Sequence, residues 1–188
     1  MPCYNITSSD IDRFCWFRVA KSGTRTILKI LSQHSTFSVN AGDVCYDAGK
    51  YRDYFKFAFV RNPWDRVVSC YLDKVVNKRR DYYMECHGKD FEYFVRFIKK
   101  KDLSICDRHI RLQSRLFPYR EVDFIGRFEN FENDLRSVLD KLNIKVNRIP
   151  RLNVTKRTGA YKSYYSERTK HIIADKYSKD VELFGYKF

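Results

Sequence analysis

The amino-acid sequence predicts an α/β fold in which a mostly parallel sheet lies between helices, giving three layers. The first observation behind this prediction is that segments rich in aromatic and β-branched residues alternate with segments whose apolar residues recur at helical spacing. The second is that two of the predicted strands each run into a polar loop and then a helix, a connection typical of parallel strands. In such sheets ligands bind at the carboxyl ends of the strands, so these two loops are where functional residues are expected.

Three segments are predicted to be β-strands because they are rich in aromatic and β-branched residues. They are RFCWFRVA at residues 13–20, FKFAFV at residues 55–60 and VDFIGRF at residues 122–128. Residues 36–53 are polar and irregular, and no element is predicted there.

Five helices are predicted from capping residues and apolar stripes. The first follows the turn at residues 21–24 and ends near Gln33. The second begins after Asn62, a typical N-cap, with Pro63 in the first helical position. The other three cover residues 90–101, residues 130–144 with Asn130 as the cap, and a final helix capped by Ser166.

Length and composition indicate one folded domain over residues 1–188. The chain is 44% hydrophobic and 16% aromatic, which is typical of globular proteins, and its length suits a single core. No window approaches 18 consecutive apolar residues, so no membrane span is predicted. The first residues lack the apolar segment of a secretory signal, and a cytoplasmic location is therefore predicted.

The formal net charge of +14 indicates an anionic partner. A nucleotide, a nucleic acid, an acidic glycan and an anionic lipid all fit this charge, and the charge alone does not choose among them. A basic nucleic-acid-binding module is therefore one alternative function, although the sequence contains no zinc-finger, RNP or helix-turn-helix signature.

Six cysteines are scattered along the chain without a Cys-x-x-Cys pair: Cys3, Cys15, Cys45, Cys70, Cys86 and Cys106. This spacing matches neither a zinc site nor a dense disulfide framework, so a chain with reduced cysteines is predicted. No cluster of histidine and carboxylate residues stands out in the sequence, and no metal site is predicted.

The segment KSGTRT after the first strand has the features of an anion-binding loop. A helix start has backbone N–H groups without intrahelical partners and a partial positive charge, and a glycine lets the backbone approach a ligand. The segment differs from the common nucleotide loop because its lysine precedes the glycine. An ordinary strand-to-helix turn with a solvated lysine is the alternative. The six candidate residues are Lys21, Ser22, Gly23, Thr24, Arg25 and Thr26.

Arg61 and Ser69 form the second candidate site. Arg61 follows the second strand, and Ser69 lies eight residues on, about two turns into the next helix. An arginine presents a planar fork to a phosphate, and a serine hydroxyl can donate to the same group. The alternative is that Arg61 pairs with Asp65 or Asp53 while Ser69 faces solvent.

The two segments together resemble the sulfotransferases, enzymes that use 3′-phosphoadenosine 5′-phosphosulfate (PAPS). The 5′-phosphosulfate loop of that family is similar to KSGTRT, and its 3′-phosphate motif is similar to FVRNPWDRVVSCY. The resemblance continues in VDFIGRFENFENDL and in the closing segment AYKSYYSERTKHIIADKYSKDVELFGYKF, which looks like the carbohydrate sulfotransferase branch. It implies a sulfotransferase fold similar to that of the P-loop nucleotide hydrolases.

The resemblance also implies a reaction and a role for each motif. A sulfonate group would pass from PAPS to an acceptor hydroxyl by in-line displacement, leaving 3′,5′-diphosphoadenosine (PAP). Residues 21–26 would hold the 5′-phosphosulfate, and Lys21 would act catalytically by stabilising charge on the leaving phosphate. Arg61 and Ser69 would hold the 3′-phosphate. Arg25 stands where the family has a small or hydroxyl residue, so it would either add a second cation at the sulfonate or point into solvent.

A basic, aromatic-rich segment near the C-terminus is the third candidate region. In related enzymes a late basic loop closes over the nucleotide, and the segment NVTKRTGAYKSYY resembles it. A solvated basic face is the alternative. The candidate nucleotide contacts are Lys156, Arg157, Tyr161 and Lys162.

His109 is the candidate general base, since the acceptor hydroxyl must lose a proton during transfer. It lies in DRHIRLQ, between the third predicted helix and the third strand, and histidine titrates near neutral pH. The segment looks like the family's H-x-x-x-Q stretch, which implies that Gln113 supports the histidine. The alternative is a surface histidine in a basic loop.

The acceptor that the resemblance implies is an acidic or neutral glycan with a free hydroxyl, and no nucleic acid is expected as a partner. A small alcohol, a lipid and a tyrosine are the alternative acceptors. A nucleotide-dependent kinase with a similar fold is a further alternative. A kinase would need the glycine–lysine order of the nucleotide loop and a carboxylate for magnesium, and neither is evident in the sequence.

Overall fold

The computed structural model describes residues 2–39, 43–150 and 159–188 of the chain. Two compact units make up the chain, and each is assembled from two separate stretches of sequence. A single domain over residues 1–188 stays a prediction. The first unit comprises Met1–Val60 and Leu116–Asn153, and the second comprises Arg61–Arg115 and Val154–Phe188.

The described residues form seven strands, six α-helices and several short helical turns. The strands are β1 (Cys3–Tyr4), β2 (Ile6–Ser9), β3 (Phe14–Phe17), β4 (Ser38–Val39), β5 (Val44–Cys45), β6 (Phe55–Val60) and β7 (Phe124–Arg127). The helices are α1 (Thr24–His34), α2 (Pro63–Cys70), α3 (Phe91–Lys99), α4 (Phe131–Lys141), α5 (Glu167–Lys176) and α6 (Ser178–Phe184). The short turns cover Tyr71–Val76, Asp81–Cys86, Gln113–Arg115, Phe128–Asn130 and Tyr161–Tyr164.

Five of the strands form one mixed sheet in the first unit, in the order β4-β2-β3-β6-β7. Strand β6 runs parallel to both β3 and β7, whereas β2 pairs antiparallel with β3 and β4. The α/β class and the three predicted strands are confirmed, but the sheet is mixed rather than mostly parallel. Three layers and a likeness to the P-loop nucleotide hydrolases stay predictions.

The prediction of a mostly parallel sheet is wrong because the sequence gives no apolar signal for β2. This strand has the sequence ITSS, and all four of its residues are buried. A run of hydroxyl side chains is typical of a turn or loop, so residues Ile6–Ser9 look irregular until their pairing partners are known.

Alternate residues of β3 and β6 form the core of the first unit, and helices α1 and α4 pack on them. Strand side chains point to opposite faces in turn, so every second residue of these strands faces the same helices. Each fully buried apolar side chain stabilises the fold by roughly 1.5–3 kcal/mol. The cluster includes Phe14, Trp16, Phe57 and Phe59 from the strands, Ile27, Ile30 and Leu31 from α1, and Leu135, Val138 and Leu139 from α4.

The second unit is helical, and polar side-chain caps define where three of its helices begin: Asn62 at α2, Asp90 at α3 and Ser166 at α5. The Asn62 side chain accepts a hydrogen bond from the Trp64 N–H, with Pro63 in the first helical position, as predicted. Ser166 caps α5 in a reciprocal capping box with Thr169. Helix α5 packs against both α2 and α3.

Within the described ranges, no helix combines the length and apolar character needed to cross a membrane. The same ranges contain no group of three or more histidine, cysteine, aspartate or glutamate side chains arranged to hold a metal ion.

Candidate active site

The loop at residues 21–26 joins β3 to α1, and a glycine determines its shape. Gly23 caps α1 with a φ of +83°, and Lys21 also has a positive φ, of +74°. The Gly23 backbone lies against the Phe131 ring, and a Cβ added there would be only 2.2 Å from Cε2 of that ring. Glycine is therefore required at residue 23 both by the left-handed backbone and by the close approach of the ring.

Ser22 is the buried residue of this loop whose side chain is not hydrogen-bonded within the described ranges. Its side chain is 1% exposed, and its hydroxyl has no hydrogen-bond partner among the described residues. A buried polar atom without a partner costs about 1–3 kcal/mol. The first turn of α1 contains no acidic residue, so the helix start keeps its partial positive charge. An anion bound at this helix start would give the hydroxyl an acceptor.

The other loop residues differ in what their side chains contact. The Thr24 hydroxyl donates to the Val19 carbonyl oxygen at 3.1 Å, which fixes the entry into α1. Thr26 is buried, whereas Arg25 is exposed and Lys21 is half-buried. Both interpretations of Arg25 are compatible with this exposure, and its role stays a prediction.

Arg61 directly precedes Asn62, the N-cap of α2, is 5% exposed and forms an ion pair with Asp65 in the first turn of that helix. Its Nε and Nη2 atoms each lie 2.9 Å from Oδ2 of Asp65. The pairing with Asp65 that the sequence left open is therefore present. The two contacts to one carboxylate oxygen fix the orientation of the guanidinium, which carries five N–H donors in all. The pair is compatible with phosphate binding.

Ser69 lies on α2, two turns after Arg61, and is 4% exposed. The alternative in which Ser69 faces solvent is wrong, because every residue of α2 is buried. The burial of Ser69 follows from the packing of the whole helix. A buried hydroxyl costs free energy unless it is hydrogen-bonded.

Gln113 contacts Arg61 rather than His109, which corrects the prediction made from the sequence. Its Oε1 accepts from the Arg61 N–H at 2.9 Å, and its Nε2 donates to the Arg61 carbonyl oxygen at 2.8 Å. The backbone N–H groups of Gln113 and Ser114 donate to the fully buried Asp180, at 2.6 and 3.0 Å. Asp180 thus holds Gln113, and Gln113 holds the backbone of Arg61.

His109 forms a hydrogen-bonded cluster with Asp107, a residue that the sequence did not single out. The Nδ1 atom of His109 lies 2.8 Å from Oδ1 of Asp107, which also accepts from the Tyr83 hydroxyl at 2.7 Å. Arg80 pairs with the other Asp107 oxygen at 2.8 Å. The His109 side chain is only 13% exposed, so the alternative of a surface histidine is wrong.

The cluster sets the protonation states of Asp107 and His109. Burial acts to raise the Asp107 pKa, but hydrogen bonds from His109 and Tyr83 outweigh it and hold that pKa well below its usual range. Burial lowers the pKa of His109 below its ordinary value of 6.5, although the Asp107 carboxylate acts in the opposite direction. An ionised carboxylate only accepts hydrogen bonds, so the proton of neutral His109 lies on Nδ1. Its Nε2 atom then carries the lone pair.

The third candidate region is only partly described. Lys156 and Arg157 lie outside the described residues. The Tyr161 ring packs edge-on against Phe188, and the Lys162 ammonium lies 3.2 Å from the carbonyl oxygen of the same residue. A nucleotide contact by these four residues stays a prediction.

Comparison with known proteins gives one family over almost the whole chain. The profile described as "Sulfotransferase family" matches residues 4–187. Carbohydrate sulfotransferase 14 of Danio rerio is 27% identical over 97% of this chain and 62% of its own length. Carbohydrate sulfotransferase 10 of Xenopus laevis is 28% identical over 71% of this chain and 48% of its own length.

A third relative is an uncharacterized protein of Archaeoglobus fulgidus, which is 33% identical over 48% of this chain and 69% of its own length. The chain therefore spans about half to three fifths of the length of the two carbohydrate sulfotransferases it matches. No solved structure matches the chain significantly.

Proposed function

The chain belongs to the sulfotransferase family, and from this premise we propose that it moves a sulfonate group from PAPS to a hydroxyl on a carbohydrate acceptor. The observation that carries the proposal is the buried Ser22 hydroxyl, which lacks a partner among the described residues and lies at a helix start that contains no acidic residue. Such a place favours an anion that accepts hydrogen bonds, and a phosphosulfate group meets that need.

We assign the donor contacts in two groups. Residues 21–26 bind the 5′-phosphosulfate through backbone N–H groups, the Ser22 hydroxyl and the Lys21 ammonium. Arg61 and Ser69 bind the 3′-phosphate. Asp65 supports this role, because its ion pair holds the guanidinium in one orientation before the ligand arrives.

The donor supplies an activated sulfonate. The chain's residues stabilise the charge on the leaving phosphate and accept the proton of the acceptor hydroxyl. As transfer proceeds, negative charge grows on the leaving phosphate, and Lys21 and the start of α1 stabilise it. His109 accepts the acceptor's proton at Nε2. Asp107 stabilises the imidazolium that forms, because its carboxylate already holds the Nδ1–H group.

A carbohydrate acceptor is favoured by two observations. Two relatives are named carbohydrate sulfotransferases. The chain itself carries a formal net charge of +14, which suits an acidic glycan, although a neutral glycan hydroxyl fits the same chemistry.

The proposal is tested by removing the Ser22 hydroxyl and measuring PAP affinity by calorimetry. The Ser22→Ala variant should bind PAP about tenfold more weakly, since a hydrogen bond to a charged group is lost. Its thermal stability without ligand should not fall, because in the part of the chain that the structure describes the hydroxyl has no partner to lose.

Thr7→Val is the matched control, since the Thr7 hydroxyl is also fully buried and without a partner among the described residues. This variant should bind PAP as tightly as the parent chain. A parent chain that is stabilised by ATP with magnesium but not by PAP would contradict the proposal. Equal PAP affinity in Ser22→Ala and the parent chain would do the same.

A further inference from the structure

Two exposed cysteines lie opposite each other on a short two-stranded ladder of the first unit. Strands β1 and β5 pair antiparallel, with Cys3 opposite Cys45. The Tyr46 N–H donates to the Pro2 carbonyl oxygen at 2.9 Å, so residues 2 and 46, next to the two cysteines, are a hydrogen-bonded pair. Hydrogen-bonded and non-hydrogen-bonded pairs alternate along antiparallel strands, which makes Cys3 and Cys45 a non-hydrogen-bonded pair.

That position brings the two side chains close together. In a non-hydrogen-bonded pair the Cα atoms are about 4.5 Å apart, which is within the range that a disulfide spans. The two Sγ atoms lie 2.9 Å apart as thiols, and both residues are exposed. A bond between them therefore needs no movement of the backbone, and a small oxidant can reach them.

We propose that Cys3 and Cys45 are a site of reversible disulfide formation with a low-molecular-weight disulfide as oxidant. One cysteine thiolate attacks the small disulfide, forming a mixed disulfide and releasing one small thiol. The other cysteine thiolate then attacks the mixed disulfide and releases the second small thiol. Two S–H bonds are lost, one S–S bond joins the strands, and the small disulfide is reduced to two thiols.

The bond would fasten a segment that leads to the anion-binding loop. The Tyr4 and Tyr46 rings both pack on Phe17, at centroid distances of 5.6 and 5.2 Å. The Arg18 N–H donates to the Asn5 carbonyl oxygen at 2.8 Å. A link from residue 3 to residue 45 closes a loop that contains β2, β3 and α1, so it reduces the freedom of the unfolded chain.

The remaining cysteines serve as internal controls. Cys15, Cys70 and Cys86 are buried, and burial raises the pKa of the Cys15 thiol to about 12 and that of Cys86 to about 11. The thiolate fractions of Cys15 and Cys86 at neutral pH are therefore small, and burial keeps all three thiols away from a small disulfide, so they exchange slowly.

The experiment incubates the folded chain with oxidised glutathione, blocks remaining thiols and maps the linked peptides by mass spectrometry without reduction. We expect one linked pair, Cys3 with Cys45, lighter than the reduced peptides by two hydrogen atoms and reversed by dithiothreitol. The oxidised chain should melt about 5 °C or more above the reduced chain.

The variants Cys3→Ser and Cys45→Ser, both at exposed positions, should show neither the linked pair nor the shift in melting temperature. Cys106→Ser should behave like the parent chain. Glutathione adducts on Cys3 or Cys45 without a protein disulfide would overturn the proposal. So would a linked pair that forms in the parent chain and leaves its melting temperature unchanged.

Discussion

Asp107 controls His109 through a single carboxylate that has three further hydrogen-bonding or ionic partners. It accepts from the His109 backbone N–H at 3.0 Å, from Tyr83 and from Arg80, as well as from the imidazole. A carboxylate held in this way orients the ring and fixes the proton on Nδ1. His109 must be neutral to accept a proton, and its lowered pKa keeps it neutral to below pH 6.5.

Replacing Asp107 by asparagine should lower kcat about 100-fold, since the imidazole loses the group that orients it and stabilises its charge. The sign of the pH effect follows from the charges. The Asp107 carboxylate raises the His109 pKa, so its removal lowers that pKa further. The acid limb of the kcat/KM profile should therefore move to lower pH in the variant.

Asp102→Asn is the matched control, because Asp102 is an exposed acid five residues earlier in the same segment. Its pH profile and kcat should equal those of the parent chain. An acid limb that stays in place in Asp107→Asn, or moves to higher pH, would show that Asp107 acts on the fold and not through His109.

Arg61→Lys should weaken PAP binding about tenfold while leaving adenosine 5′-phosphate binding unchanged. A lysine keeps the charge opposite Asp65 but lacks the planar fork that we propose binds the 3′-phosphate. Only PAP carries that phosphate, so calorimetry with both nucleotides separates a lost contact from a general disturbance. Arg96→Lys, on the exposed side of α3, should affect neither ligand. Equal losses for both nucleotides would contradict the assignment of Arg61.

At this scale the sequence predicts the candidate residues and offers the Arg61–Asp65 pair as an alternative, but it does not indicate the other partners. Arg61, Ser69 and His109 follow from spacing and chemistry within one segment. Asp107 has no such signal, because its role depends on how the loop between α3 and the Gln113–Arg115 turn folds back on the imidazole. The contact of Gln113 with Arg61 joins residues 52 positions apart, and no local pattern records it.

At the scale of elements, the turn into α1 depends on the fit between Gly23 and the Phe131 ring. Gly23→Ala should destabilise the chain by roughly 2–4 kcal/mol, because it adds left-handed strain and a clash with the ring. Gly88→Ala is a matched control, since Gly88 has a φ of +77° but nothing within 4 Å of an added Cβ. It should cost only about 1 kcal/mol.

Denaturant unfolding of both variants measures these costs. Equal losses would mean that the Phe131 ring moves aside without cost, and that the close approach does not require glycine. A greater loss of unfolding free energy in Gly23→Ala than in Gly88→Ala would show that the contact between the loop and α4 causes the difference.

Elements with strong local signals could be predicted, and those without them could not. Asn62 and Ser166 cap their helices as expected, since the side chain that accepts the bond lies beside the helix start. Asn130 precedes α4 but makes no capping bond, and its side chain donates instead to Asp134. The final predicted helix is two helices, α5 and α6, which meet at Tyr177.

At the scale of the whole molecule, Asp180 connects stretches of the second unit that are far apart in sequence. Asp180→Asn should lower stability by about 1–3 kcal/mol, since the amide nitrogen faces a backbone N–H where an oxygen accepted before. PAP affinity should fall as well, because Gln113 then holds Arg61 less firmly. Asp175→Asn, at an exposed site on α5, should change neither quantity.

Chemical denaturation and calorimetry together make this test decisive. A stability loss with unchanged PAP affinity would mean that Arg61 keeps its place without Asp180.

The fold class and the family could be inferred from segments of sequence, whereas the division into two discontinuous units could not. Such a division depends on contacts between distant stretches, which leave no periodic pattern in either of them.

The same contacts set an order of events during protein synthesis. Arg61 leaves the ribosome more than a hundred residues before Asp180. Gln113, which holds the Arg61 backbone, lacks its own hydrogen-bond partner until that aspartate has emerged. The sheet strands β3 and β6 are translated much earlier. A nascent chain therefore completes the hydrogen bonds that hold Arg61 only near the close of translation of this region.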